Sequence, residues 1–91
     1  MPRYLVQRTF PQGLRIPMTA DGAKACAKVV ANNAEDGVTW VHSYVSEDRC
    51  KTFCIYDGPS VDAVHAAARR SSMSVEGIQP VTVLDPYFYR S

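Results

Sequence analysis

Ninety-one residues carry ten Lys+Arg against nine Asp+Glu, a formal net charge of +1, and 46% of them are hydrophobic. That length allows one domain and excludes a nucleotide-binding half joined to a substrate half. The apolar share supports a packed core, while the near-neutral balance lacks the electrostatic footprint of a nucleic-acid binder.

Arg3 to Phe10 is rich in aromatic and branched residues, stops at Pro11-Gln12-Gly13 and reads as a first strand. Leu14 to Thr19 holds Pro17 and reads as a loop. From Asp21 to about Asn33 the spacing predicts a helix whose apolar stripe is Ala23, Cys26, Ala27, Val30, Ala31 and Ala34. Asp21 is its expected N-cap, and Asn32, Asn33 and Gly37 mark its exit. Val38 to Val45 and Lys51 to Tyr56 predict two strands joined by the polar stretch Ser46–Cys50, an antiparallel hairpin. Gly58-Pro59-Ser60 opens a second helix, with Ser60 as N-cap, Asp62 at the positive end of its dipole, and Val61, Val64, Ala67 and Ala68 as the buried stripe. Ile78 to Leu84 is the last strand. Pro80 has no amide donor, so that strand belongs at a sheet edge or pairs only beyond Pro80.

The order is βαββαβ, an α+β, ferredoxin-like plan: a four-stranded antiparallel sheet with two helices on one face, filling residues 1–91 as a single domain. Residues 85–91 form a tail carrying Tyr87, Phe88 and Tyr89. A chain this small buries a modest share of its surface, and the second sheet face needs water or a cover. A homodimer is therefore expected, with the open face or Tyr87, Phe88 and Tyr89 at the contact. No apolar run approaches the ~20 residues that span a bilayer, so a membrane is not an expected partner. Met1-Pro2-Arg3-Tyr4 has no signal-peptide core, which makes the cytosol the expected compartment.

Pairing Val45 with Lys51 across the turn would set Tyr44 opposite Thr52, His42 opposite Cys54 and Trp40 opposite Tyr56. All six would share one face, leaving Val41, Val45, Phe53 and Ile55 toward the helices. A His beside a Cys on an aromatic face has three meanings. The pair can donate to a borderline metal ion such as nickel, zinc or copper. It can be a thiol activated by its neighbour. It can also be a small buried hydrophobe beside a hydrogen-bonded imidazole, without chemistry. Two donors are too few for a tetrahedral site, so a second copy or nearby carboxylates would have to complete it.

The other polar residues have plainer readings. Cys50 and Cys54 stand about 13 Å apart along a strand, beyond disulfide reach. Arg69 and Arg70 complement a helix C-terminus, and His65 reads as a boundary residue. Glu35-Asp36 and Glu47-Asp48 fall in turns and match no calcium loop. No phosphate-binding glycine loop, nucleophile elbow or HExxH pattern is present, so no catalytic residue is assigned and the enzymatic case is thin. The rival reading is a small-molecule site or cofactor-free enzyme of the dimeric ferredoxin-like barrel type. There Trp40, Tyr44 and Tyr56 would line an apolar pocket, with His42 as acid or base.

The segment Glu35-Asp36-Gly37-Val38-Thr39-Trp40-Val41-His42, then Thr52-Phe53-Cys54, Pro59-Ser60 and Ala63-Val64, resembles a small bacterial family with a ferredoxin-like fold. That family was first catalogued as a domain of unknown function, and one branch of it binds nickel. The likeness extends over most of the chain, and the tail from Asp85 to Tyr89 is typical of one subgroup. The resemblance implies a soluble, dimeric, non-enzymatic protein with nickel sequestration as its role and nickel as its cofactor. Arg3 to Asn33 contains no histidine, so the donors that match are His42 and Cys54.

Overall fold

Strict alternation along two strands sets the centre of the structure, a computed structural model that describes residues 2–16 and 19–87. In β1 (Arg3–Thr9) Tyr4, Val6 and Arg8 are buried, and in β3 (Lys51–Asp57) Thr52, Cys54 and Tyr56 are. The two strands pair antiparallel, with Val6 opposite Cys54. They form the middle of a four-stranded sheet ordered β2-β3-β1-β4. The edges are β2 (Thr39–Val45) and β4 (Gly77–Val81). With α1 (Ala20–Ala34) after β1 and α2 (Val61–Arg70) after β3, the order is the expected ferredoxin-like βαββαβ.

The last strand lies at an edge and pairs on both sides of Pro80, the first of the two expected arrangements, but it ends at Val81 rather than Leu84. Its partner explains the stop: β1 begins at Arg3, which faces Val81, so Thr82 to Leu84 have no strand to pair with. Val83 and Leu84 are exposed accordingly.

The α2 helix is built as its sequence predicts. The Ser60 hydroxyl accepts from the Ala63 amide at 3.1 Å, and Val64, Ala67 and Ala68 are buried. Val61, first in the helix, stays at the exposed rim. The α1 helix departs further. Its N-cap is Thr19, with Asp21 in its first turn. Its inward side is Gly22, Cys26, Val29 and Asn33, while Ala23, Ala27, Val30, Ala31 and Ala34 are exposed. Alanine all round this helix leaves the apolar stripe ill-defined, so packing rather than periodicity chooses the face. Gly37, at φ +70°, turns the chain so that the Val38 amide reaches the Asn33 carbonyl at 3.0 Å.

The core lies between the sheet and α2: Tyr4, Val6, Val38, Cys54, Tyr56, Val64 and Ala67, with Trp40 and Ile78 packed on it. On the opposite face of the sheet, Leu5, Gln7, Phe53 and Ile55 are half-buried, and no helix among the described residues covers them. Arg3 and Asp57 close one end of that face in a two-pronged ion pair at 2.7 and 3.0 Å. The hydrogen bonds from Arg3 hold the Asp57 carboxyl below its usual range. No helix among the described residues is long and apolar enough to cross a membrane.

Candidate functional site

The hairpin decides where the sequence-predicted site residues go. Its turn is one residue tighter than expected. Ser46, not Val45, faces Lys51, through a 2.9 Å bond from its amide to the Lys51 carbonyl and a 3.0 Å bond from the Lys51 amide to its hydroxyl. Asp48 reinforces the turn by accepting from the Ser46 hydroxyl and the Cys50 amide. Those bonds hold its carboxyl below the usual range. Arg49 completes it at φ +63°.

From this start Val45 pairs with Thr52, Tyr44 with Phe53, Ser43 with Cys54 and His42 with Ile55. A bulge then leaves Val41 over, and Trp40 meets Tyr56 as expected. A slip of one residue carries every side chain across the sheet, so the expected shared face is corrected. His42 and Tyr44 stand on the open face with Phe53 and Ile55. Trp40, Ser43, Thr52, Cys54 and Tyr56 face the helices. The pairing of His42 with Cys54 does not form, because the sheet lies between them.

On the open side His42 is exposed and meets the Tyr44 ring edge-on, centroids 5.1 Å apart. On the covered side Cys54 is buried, its thiol directed at the Thr52 hydroxyl at 3.6 Å. Among the described residues no three His, Cys, Asp or Glu side chains gather where one metal ion would fit. Tyr87 is 90% exposed. Phe88 and Tyr89, the other expected contact residues of the tail, lie outside the described residues.

The bulge also shapes a cavity of about 590 Å³ between α1 and the covered side of the hairpin. Trp40 and Tyr56, two of the three expected pocket aromatics, line it, with Cys54 and Val45 beside them and Cys26 and Val29 from α1. Tyr44, the third, is on the far side of the sheet. The Trp40 indole N–H donates to the Ser43 hydroxyl at 2.8 Å. The Tyr56 hydroxyl accepts from the Arg8 guanidinium at 3.1 Å. Burial pushes Tyr56 up to about 12, outweighing the downward pull of Arg8. Sequence reasoning missed the wall supplied by Phe10, Leu14 and Ile16. Its signal was present: apolar residues spaced along a segment with no helix or strand to bury them.

A profile of the SCO4226-like family, described as nickel responsive proteins, matches residues 4–81. The crystal structure of SCO4226 from Streptomyces coelicolor A3(2) superposes with a TM-score of 0.70, covering 91% of this chain and 99% of that one. The two sequences are 16% identical, so this likeness speaks to the fold. No curated protein gives a significant match.

Proposed function

The chain belongs to the SCO4226-like family of nickel responsive proteins, and from that premise and its uncovered sheet face we infer that it works as a non-enzymatic homodimeric binding protein in nickel handling. The open face carries the reading. Leu5, Phe53 and Ile55 form a half-buried apolar centre that no layer of the described residues covers, flanked by the largely exposed Tyr44.

One chain's described residues do not fit a resident nickel ion, since His42 and Cys54 point away from each other. An isologous contact across the open face would put one His42 imidazole from each copy at a single interface. Imidazole is a donor suited to nickel, taken here as cargo. Cys54 has no part in it.

Light scattering on a sizing column should give twice 10.1 kDa, and Phe53→Glu should give the monomer with an unchanged far-ultraviolet dichroism spectrum. Nickel titration calorimetry should show binding that His42→Ala abolishes and Cys54→Ser leaves intact. A monomer at all concentrations overturns the dimer. Absence of nickel binding, or binding that survives His42→Ala, overturns the metal site.

A further inference from the structure

The cavity under α1 is independent of the open face and has a chemistry of its own. Its volume, about 590 Å³, falls within the ~300–1,000 Å³ typical of small-molecule sites. The wall is apolar and aromatic, and the Trp40 indole and the hydroxyls of Ser43, Thr52 and Tyr56 are already engaged. The Trp40 N–H is held by Ser43, and the Thr52 hydroxyl faces the Cys54 thiol.

Charge on the wall has one sign. Arg49 is the charged residue lining the cavity among those described, and no carboxylate lines it. The Arg49 Nε donates to the Leu14 carbonyl at 3.0 Å, which ties the hairpin turn to the loop before α1. Its terminal nitrogens have no protein partner among the described residues, so the forked end of the guanidinium is available to a ligand. Behind the wall stands a second cation. Arg8 is 3% exposed and has no carboxylate partner among the described residues. It donates to the Tyr56 hydroxyl, and its Nε is unpaired. A buried cation without a counter-charge among the described residues makes the adjoining space favourable to an anion.

We propose that this cavity binds a small amphipathic carboxylate, its apolar body between Trp40, Tyr56 and Val29 and its anionic head on Arg49. The apolar wall supplies affinity by area removed from water, and the cations select the sign of the head.

Trp40 is the chain's one tryptophan and lies in the cavity wall, so its fluorescence reports occupancy directly. The test is a titration of the unmodified protein with decanoate, 1-decanol and decylammonium, which share a tail and differ in the charge of the head. Decanoate should give a saturable change in Trp40 emission with an affinity at least about tenfold above the other two, the value of one charge-assisted hydrogen bond. Arg49→Gln should bring decanoate down to the affinity of decanol. Val29→Trp, which fills the cavity from α1, should abolish binding of both, judged by calorimetry because the variant adds an indole.

Equal affinity across the three heads overturns the anionic assignment. No saturable change with any of them, or binding unaffected by Val29→Trp, overturns the site. The three-ligand comparison needs no variant, so it stands even if Arg49→Gln disturbs the turn. His42→Ala and Phe53→Glu should leave decanoate binding unchanged, which separates this site from nickel and from the dimer contact.

Discussion

Tyr56 joins three properties at one position: it packs in the core, it walls the cavity, and its hydroxyl is the hydrogen-bond partner of a buried guanidinium. Its ionisation moves from 10.0 to about 12 on folding, chiefly because burial disfavours the phenolate. A raised folded value means that the stabilisation is fully present below the unfolded value of 10.0 and is lost as pH rises through about 12. Urea midpoints should therefore hold steady up to pH 10 and fall beyond it, with the late tyrosinate absorbance appearing together with unfolding. Tyr56→Phe should remove that decline. It should also lower stability at pH 7 by about 1–3 kcal/mol, because Arg8 is left buried without its acceptor. A Tyr56→Phe variant as stable as the parent at pH 7 would show that Arg8 finds another acceptor.

The two helices differ in how far local sequence specifies them. Ser60, Asp62, Val64, Ala67 and Ala68 define the start, the dipole partner and the buried face of α2 within one short segment. Ser60→Ala should accordingly lower stability by about 1 kcal/mol through loss of the bond to the Ala63 amide, read as a shift in urea midpoint at unchanged slope. Stability equal to the parent would mean that the cap adds nothing to α2. The α1 helix has no side-chain cap and no dominant stripe, and its inward face emerges from contact with α2 and β2. The hairpin lies between these cases. Its two strands are legible as branched and aromatic runs, but their register depends on one serine hydroxyl, one aspartate carboxylate and the left-handed Arg49. A shift of one position at Ser46, restored at Val41, separates His42 from Cys54. Strand propensities contain neither event.

At the scale of the whole molecule, the homodimer inferred from the uncovered apolar face would link folding to association. If the native state is the dimer, dilution favours unfolding by mass action, so Tm should rise with protein concentration. Phe53→Glu should abolish that dependence. A Tm independent of concentration in the parent would argue for a face that water alone covers. The sequence by itself determined the order of elements, the α2 cap and the family, because each is written in local spacing or in contiguous motifs. Tertiary structure alone decided which face each hairpin residue occupies, which side of α1 turns inward, and that Phe10, Leu14, Trp40 and Tyr56 enclose a common space. Those outcomes depend on hydrogen bonds and packing between residues far apart in the chain. In a strand of period two, a single residue of slip exchanges the inside for the outside.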